Sequence, residues 1–267
     1  MHPMLTIARR AADEAGKVIM RGFRQLDQIQ VHEKGRGDLV SAVDQQAEMA
    51  IRRVLHDKFP HHDILGEEGG DTPADGAKKS EYQWIIDPLD GTANFLHGLP
   101  IFAVSIALVH QGKLEVGLVY NPVVDECFMA ARGEGALLNE RRIRTSRLRD
   151  GGRGVVATGF PYREPKLLAQ QYAYLPAALS VFSDVRRLGA AALDLCYVAC
   201  GRQDGFFEMN LNSWDIAAGV LIAQEAGAIV TDFAGEANML ENGGVVCANA
   251  YLHRPLLEAL AQASLSN

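Results

Sequence analysis

Two carboxylates follow a short apolar run in the middle of the chain. The run at 84–86 is typical of the end of a buried strand; Asp87 comes directly after it and Asp90 three residues later. Gly91 and Thr92 follow where a helical turn could start, and their backbone N–H groups suit an oxyanion such as phosphate. Acids repel an anion unless a cation lies between them, and Mg²⁺ is typically held by carboxylates and phosphate oxygens. The stretch indicates metal-assisted phosphate chemistry, with an ordinary surface turn as the alternative.

Two other stretches carry acids where a strand ends or a helix begins. Glu67 follows a strand pattern at 63–66, and Asp215 follows Trp214 at the start of an apolar helix pattern. Four carboxylates without His or Cys are a hard-cation ligand set, which matches Mg²⁺ or Mn²⁺ better than Zn²⁺. Because acids converging in one pocket repel one another, we expect several cations that stabilise the attacking and leaving oxygens of an in-line displacement.

Composition narrows the class of protein. The 267 residues are 48% hydrophobic and 22% charged, as in ordinary globular chains, and the formal net charge of −7 argues against general binding to nucleic acid or anionic membranes. No apolar run suits a membrane span or a signal peptide, so we expect a cytoplasmic protein with reduced thiols and no membrane partner. Cys196 and Cys200, one helical turn apart, are interpreted as core residues, with a shared metal as the alternative.

The first half of the chain, residues 1–145, is predicted to be an α+β unit that carries the main metal motifs. Amphipathic helices are predicted from Pro3 and after Ser41, and the polar residues 69–80 predict a mobile surface loop. Three apolar segments separated by short turns then predict an antiparallel meander. These segments are 101–109, 114–120 and 126–131.

The second half, residues 146–267, alternates between strand and helix, which predicts an α/β layer packed with the first half in one compact unit. The predicted strands are 155–158, 184–187, 205–209, 228–232 and 244–248, and the predicted helices are 165–181, 189–200, 213–226 and 253–263. Six arginines occur within residues 141–153. This segment is interpreted as a solvated connection between the halves, with a partner-binding patch as the alternative.

Three motifs in order resemble those of the inositol monophosphatase family of Mg²⁺-dependent, lithium-sensitive phosphatases. They are LGEEG at 65–69, DPLDGTANF at 87–95 and WDIAAG at 214–219. The likeness covers nearly the whole chain, and the segments MHPMLTIARRAA, GFPYR and GRQDGFFE are similar to the bacterial SuhB branch. The resemblance implies a layered αβαβα sandwich of the sugar-phosphatase type, as in fructose-1,6-bisphosphatase, with the site between the halves and a homodimer as the assembly.

The resemblance also implies the metal ligands. Glu67, Asp87 and the backbone carbonyl of Leu89 match the ligands of one ion, and Asp87, Asp90 and Asp215 match those of a second. Glu67 also matches a ligand of a weaker third ion. Two or three Mg²⁺ are therefore expected, with Mn²⁺ as a possible substitute.

Catalytic and substrate residues are implied in the same way. Thr92 and Asp44 match the pair that orients and deprotonates the attacking water, and the N–H groups of Gly91 and Thr92 would hold the phosphate. The positions that contact the sugar alcohol are matched by Gly189, Ala190, Ala191 and Glu208, with Asp90 within reach. Ala190 stands where Ser or Thr is usual, so a hydroxyl contact to substrate is expected to be absent.

The activity implied is hydrolysis of a phosphate monoester, with myo-inositol 1-phosphate as the first choice of substrate. Fructose 1,6-bisphosphate, nucleoside bisphosphates and histidinol phosphate are alternatives, since function lies in pocket details. The SuhB resemblance implies a second role with the transcription antitermination machinery at ribosomal RNA operons, through antitermination factors or RNA polymerase. Residues 141–153 and the pair Arg186-Arg187 are candidate surfaces for it, and the pair could equally lie at a dimer interface.

Overall fold

Helices and sheets alternate as layers in the computed structural model. The structure describes residues 2–28, 31–35, 38–75, 79–161 and 164–265. Two long helices and a hairpin come first, and a short helix follows the strand that carries Asp87. The helices are α1 (Pro3–Phe23), α2 (Ala42–Lys58) and α3 (Thr92–Leu96), and the hairpin is β1 (Val31–Gly35) with β2 (Asp38–Ser41).

The larger sheet has eight strands in the described part of the chain. They are β3 (Asp63–Gly66), β4 (Gly70–Thr72), β5 (Tyr82–Asp90), β6 (Ala103–His110), β7 (Lys113–Asn121), β8 (Glu126–Ala131), β9 (Gly135–Leu138) and β10 (Arg141–Arg142). Their order is β10-β9-β8-β7-β6-β5-β3-β4, with β3 parallel to β5 and the other neighbours antiparallel. The predicted antiparallel meander is confirmed as β6, β7 and β8.

The smaller sheet has five described strands, which alternate with helices along the chain. The strands are β11 (Val155–Thr158), β12 (Asp184–Arg186), β13 (Gly205–Glu208), β14 (Ile229–Thr231) and β15 (Val245–Ala248), in the order β12-β11-β13-β15-β14. The helices are α4 (Pro165–Val181), α5 (Ala191–Ala199), α6 (Ser213–Glu225), α7 (Met239–Asn242) and α8 (His253–Leu265). The strand–helix alternation predicted for this half is confirmed, and α7 was not predicted because it is a single turn.

Alternate residues of the strands face different cores. Trp84 and Ile86 of β5 pack with α1 and α2, whereas Ile85 between them packs with α5 and α6. Phe206 of β13 faces the same α5–α6 core, whereas Phe207 packs with α4 and α8. Because side chains alternate along a strand, the layers follow as α1/α2, larger sheet, α5/α6, smaller sheet and α4/α8. The predicted layered αβαβα sandwich is confirmed.

Helix α6 approaches the larger sheet closely because β7 has a glycine beneath it. A Cβ at Gly117 would lie 2.7 Å from the carbonyl oxygen of Ala218, so a side chain there would push the helix away. This approach fixes the start of α6, where Asp215 lies. Across the described residues, every helix is too short or too polar to span a bilayer.

Two segments near the acids differ from the expectation. Part of the predicted loop 69–80 is the edge strand β4, which pairs with β3. The expected end of the strand at Ile86 is wrong, because β5 continues to Asp90 with one extra residue between the pairs Asp87–Ser105 and Asp90–Ala103. Such a bulge tolerates Pro88, which has no N–H to donate to the neighbouring strand.

Candidate active site

The bulge in β5 brings two acids to the same end of the strand. Asp87 and Asp90 are buried, with 1% and 8% of their surface exposed. The Leu89 N–H donates to Oδ1 of Asp87 at 2.9 Å, which fixes that carboxylate against its own strand. An extra residue re-aims the side chains beyond it, so both acids can face one cavity although they are three residues apart.

Helix α3 begins directly after these acids. Gly91 has φ of 93°, in the left-handed region, and a Cβ there would lie 2.9 Å from the Ile101 carbonyl oxygen. Glycine is therefore required at this turn for both its conformation and its small size. The Thr92 hydroxyl that follows has Oδ1 of Asp44 at 2.8 Å and the Leu89 carbonyl oxygen at 3.0 Å as acceptors.

Asp44 reaches this site from the first turn of α2, where it is 1% exposed. Its contact with Thr92 joins residues 48 positions apart in the chain. The predicted pair Asp44–Thr92 is thus in hydrogen-bond contact. Asp44 itself lies behind Thr92 and is not among the residues that line the cavity.

Helix α5 presents its N-terminus to Asp90. The Ala192 N–H donates to Oδ2 of Asp90 at 2.8 Å across 102 residues of sequence. The cap residue Ala190 has no side-chain oxygen, so Asp90 performs the role of an N-cap from the other half of the chain. Asp90 therefore accepts the helix N–H that the alanine at position 190 cannot cap.

Asn94 joins the two halves beside this contact, and the sequence analysis gave it no role. Its Nδ2 atom donates to the carbonyl oxygens of Ile101 at 2.7 Å and Leu188 at 2.9 Å. Leu188 precedes Gly189, whose φ of 84° turns the chain toward α5. The backbone at 189–191 is therefore positioned by a buried side chain from the first half. The DGTANF motif was the only signal for this residue.

Asp215 lies in the first turn of α6. Its Oδ2 atom accepts from the Asn212 N–H at 2.7 Å in a capping box, which suits an acid at a helix N-terminus. The Ser105 hydroxyl of β6 donates to the Trp214 carbonyl oxygen at 3.2 Å, so the larger sheet also ties down this helix start. Ser105 carries no sequence signal for that role.

Glu208 ends β13 on the opposite wall and is half-buried. A Cβ at Gly159 would overlap Oε1 of Glu208, so a side chain at that position would displace the carboxyl group. Burial is the main cause that raises the pKa of Glu208, and Asp194 adds to it, whereas Arg187 opposes the shift.

One cavity of ≈ 200 Å³ collects these groups, a volume that suits a small ester rather than a polymer. Apart from Asp44, every predicted site residue lines it: Glu67, Asp87, Leu89, Asp90, Gly91, Thr92, Gly189, Ala190, Ala191, Glu208 and Asp215. Further lining residues that were not placed in the site from the sequence are Ala93, Phe160, Pro161, Arg187 and residues 209–212.

Electrostatic repulsion marks the acid wall of the cavity. Burial, followed by the charges of Glu67, Asp90 and Asp215, raises the pKa of Asp87 well above its ordinary value. The pKa of Asp90 is also raised, first by burial and then by Asp215, against the opposing N–H of Ala192. An all-oxygen donor set that repels itself fits a hard divalent cation.

Among the described residues, no three His, Cys, Asp or Glu side chains are already gathered as a metal cluster. A divalent cation among these carboxylates would relieve the repulsion that contributes to the raised pKa values of Asp87 and Asp90. The residues present therefore fit the cations that the sequence implies, and the Cys196–Cys200 pair remains best explained as part of the core.

The layered sandwich with an acid-lined cavity between its sheets is a sugar-phosphatase fold. The model of the inositol monophosphatase family matches residues 1–266. Nus factor SuhB of Pasteurella multocida is 46% identical over 260 residues, covering 97% of this chain and 96% of that protein. The chain belongs to the inositol monophosphatase family, in its SuhB branch.

Solved structures agree with this placement. The crystal structure of extragenic suppressor protein suhB from Bartonella henselae has a TM-score of 0.93 at 41% identity, covering 97% of this chain and 98% of that one. The Thermotoga maritima IMPase has a TM-score of 0.88 at 31% identity, covering 99% of each chain. Members of this family are typically metal-dependent phosphomonoesterases.

Proposed function

We propose that the protein hydrolyses a small phosphate monoester, with myo-inositol 1-phosphate as the principal substrate. The observation that carries this proposal is the hydrogen bond between Thr92 and the buried Asp44, beside the buried acids Asp87 and Asp90. A hydroxyl that is oriented by a carboxylate and stands next to an oxygen-ligand set is an arrangement for activating water.

The cations would be held by Glu67, Asp87, Asp90, Asp215 and the carbonyl oxygen of Leu89. When bound, two or three Mg²⁺ (or Mn²⁺) would lower the pKa of water and offset the negative charge of the phosphate oxygens. The raised pKa values of Asp87 and Asp90 support this assignment, because a cation would remove the repulsion that causes part of the shift.

Thr92 and Asp44 act together on the attacking water. The Thr92 hydroxyl donates to Oδ1 of Asp44, so its oxygen is directed to accept a hydrogen bond from water. The proton passes through Thr92 to Asp44 as the water oxygen bonds to phosphorus. The bond between phosphorus and the leaving oxygen breaks in the same displacement, without a phosphoenzyme. The leaving oxygen takes a proton from solvent water, and Asp44 returns its proton to solvent.

The remaining residues bind the ester. The N–H groups of Gly91 and Thr92 hold the phosphate, and the backbone at 189–191 together with Asp90 borders the sugar alcohol. Glu208, when ionised, can accept from two neighbouring hydroxyl groups. We propose residues 1–145 and 146–267 as the two halves of this site, in one compact cytoplasmic unit that forms a homodimer.

Phosphate release measured across a panel of esters tests the proposal. We expect Mg²⁺-dependent, lithium-inhibited turnover with the highest kcat/KM for inositol 1-phosphate. The comparison substrates are fructose 1,6-bisphosphate, a nucleoside bisphosphate and histidinol phosphate. A higher kcat/KM for one of these would reassign the substrate, and absence of turnover on all of them would overturn the phosphatase assignment.

We propose a second role as a partner of the transcription antitermination machinery, through Nus-type factors or RNA polymerase. The name Nus factor SuhB carried by relatives at 46% identity supports it. Within residues 141–153, Arg142 and Arg144 donate to the carbonyl oxygens of Glu134 and Glu225, and the guanidinium of Arg149 lies 4.6 Å from the centre of the Tyr251 ring. These contacts favour a structural role for the segment, and Arg141 at the sheet edge is exposed for a partner.

Complementation separates the two roles. Cells that lack the protein are supplied with D87N, in which catalysis is removed. Normal ribosomal RNA transcription with this variant supports a binding role, and its loss shows that catalysis is required. Co-purification of RNA polymerase with the wild type and with R141A then tests the proposed surface.

A further inference from the structure

The turn that carries Glu67 is fixed on both sides by hydrogen bonds. The Glu67 N–H donates to the Ile86 carbonyl oxygen at 3.3 Å, which ties it to the residue before Asp87. The next N–H, of Glu68, donates to Oε2 of Glu48 at 2.8 Å, and the N–H of Gly69 donates to Oε1 of Glu48 at 2.8 Å. Both peptide groups that flank Glu67 are therefore held, and with them the direction in which its side chain leaves the backbone.

Arg52 connects Glu48 to the strand that follows the turn. Its Nε atom donates to Oε1 of Glu48 at 2.7 Å, its Nη2 to the Gly70 carbonyl oxygen at 2.8 Å and its Nη1 to the Thr72 hydroxyl at 2.8 Å. The side chains of Arg52 and Glu48 are 18% and 3% exposed. The planar fork of the guanidinium allows one residue to bind all three partners, which an ammonium group cannot match.

The fit around this ion pair is tight. A Cβ at Gly66 would lie 2.6 Å from Oε2 of Glu48, and a Cβ at Gly69 would lie 2.7 Å from Oε1. The turn is thus built around the Glu48 carboxylate. Removal of one partner of such a buried pair leaves the other charge uncompensated, so the turn would rearrange.

The same face of α2 serves the rest of the site. Asp44, Glu48 and Arg52 follow one another at four-residue spacing, which places them on one side of the helix. Asp44 contacts Thr92, while Glu48 and Arg52 hold the Glu67 turn. One face of α2 therefore places Asp44, the proposed proton acceptor, and also fixes the backbone on either side of Glu67.

We propose that Glu48 and Arg52 are positioning residues for the cation that Glu67 binds, an inference that rests on the proposed function. Neither side chain lines the cavity, and both act through the peptide groups around Glu67. Groups that orient metal ligands typically change metal affinity or activity by about 10- to 100-fold when they are mutated. The Glu48–Arg52 pair, here called the clamp, is therefore expected to influence cation affinity more than substrate binding.

The test compares R52M with R53M. Methionine removes the guanidinium of Arg52 but keeps an extended apolar stem, and Arg53 is an exposed arginine at the next position of α2. Calorimetry measures Mn²⁺ binding without substrate, and phosphate release gives the Mg²⁺ concentration at half-maximal turnover. We expect R52M to lower the Mn²⁺ affinity and to raise the Mg²⁺ concentration at half-maximal turnover, each by about tenfold or more. The KM of R52M at saturating Mg²⁺ should be unchanged, and R53M should match the wild type in all three quantities. R52K should recover only part of the affinity, because lysine keeps the charge without the fork.

Thr72→Val is the second variant, which serves if R52M does not fold. It removes one hydrogen-bond acceptor of Arg52 at an exposed position of the edge strand, where the fold should tolerate the change. It should shift Mn²⁺ affinity in the same direction by a smaller factor. Equal Mn²⁺ affinity of the wild type, T72V and every folded Arg52 variant would overturn the clamp alone. A wild type that binds no Mn²⁺ and turns over without Mg²⁺ would overturn the proposed function as well.

Discussion

The cavity has two walls that hold their functional groups in different ways. The first wall consists of Asp44, Asp87, Asp90 and Thr92, and the second consists of residues 189–191 and Glu208. On the first wall the reactive side chains are fixed by groups of the same half: Thr92 by Asp44, and Asp87 by the Leu89 N–H. On the second wall the backbone at 189–191 is held at its two ends by the first half, because Asn94 donates to the Leu188 carbonyl oxygen and Asp90 accepts from the Ala192 N–H. Thr92 and Asp87 are thus held within their own half, whereas the backbone at 189–191 depends on the other half. Changes in the first wall should therefore affect chemistry and assembly, and changes in the second should affect selectivity.

The largest expected effect is at Asp87. D87N should lower kcat by about 10³-fold or more, because the charge stabilisation that a bound metal supplies is worth several kcal/mol. The fold should survive, since the amide removes a repelling charge from a buried cluster. Steady-state kinetics at saturating Mg²⁺ measure the loss, with D71N on the exposed edge strand as the matched control. Turnover near the wild-type value in D87N would contradict the assignment of the first wall.

The next largest effect concerns the Thr92–Asp44 pair. T92V and D44N should each lower kcat by about 10²- to 10⁴-fold, as expected when general base catalysis is removed. Mn²⁺ affinity should stay at the wild-type value, since neither group is a proposed ligand. T92S keeps the hydroxyl and should retain most of the activity. Equal losses in T92S and T92V would show that the hydroxyl is not the active feature.

Asn94 tests the dependence of the second wall on the first. N94A should destabilise the protein by about 1–3 kcal/mol, because two carbonyl oxygens lose a buried donor. It should also raise KM, through movement of residues 189–191, more than it lowers Mn²⁺ affinity. Urea unfolding and kinetics are compared with H97A, an exposed position at the end of α3. A reduced Mn²⁺ affinity with normal KM would reverse the assignment of Asn94 to the second wall.

The smallest expected effect is on how the free energy of unfolding depends on pH, through Asp194 in α5. Asp194 is 1% exposed, and burial raises its pKa from 3.8 to about 7, against the opposing influences of Gln203 and Arg187. The folded protein then holds a proton that the unfolded chain releases near pH 4, so this contribution to stability is complete at low pH and is lost as pH rises toward 7. D194N should remove this part of the decline in urea-unfolding free energy between pH 4.5 and 7.5. The exposed D27N should leave it unchanged, and an unaltered decline in D194N would exclude Asp194 as its source.

Sequence reasoning reached the first wall more completely than the second. Asp87, Asp90 and Thr92 lie in one short motif, so their type and spacing were sufficient to indicate the chemistry. The layered sandwich was implied by the family resemblance, whereas local patterns alone indicated the antiparallel meander and the strand–helix alternation of the second half. Residues 189–191 came only from the family resemblance, since small residues that act through their backbone leave no chemical pattern.

Apart from the Asp44–Thr92 pair implied by the family resemblance, the long-range side-chain contacts could not be predicted from the sequence. Glu48 and Asn94 look like ordinary polar residues on helices, and their partners are 20 and 94 positions away in the chain. The bulge at Pro88 and the edge strand β4 depend on neighbouring strands, so local composition suggested a turn and a loop instead. These features decide how the acids are aimed, and only the three-dimensional arrangement reveals them.

The central claim is that the repelling acids Glu67, Asp87, Asp90 and Asp215 are assembled to bind divalent cations. Thermal unfolding of the wild type and D87N against increasing Mg²⁺, at constant ionic strength and without substrate, tests it most directly. Cations that bind the folded state stabilise it in proportion to RT ln(1 + [L]/Kd), so the wild-type midpoint should rise steadily with Mg²⁺. D87N should start at a higher midpoint than the wild type without Mg²⁺ and show little further rise. Equal Mg²⁺-dependent rises in the two proteins, or no rise in the wild type, would contradict the claim.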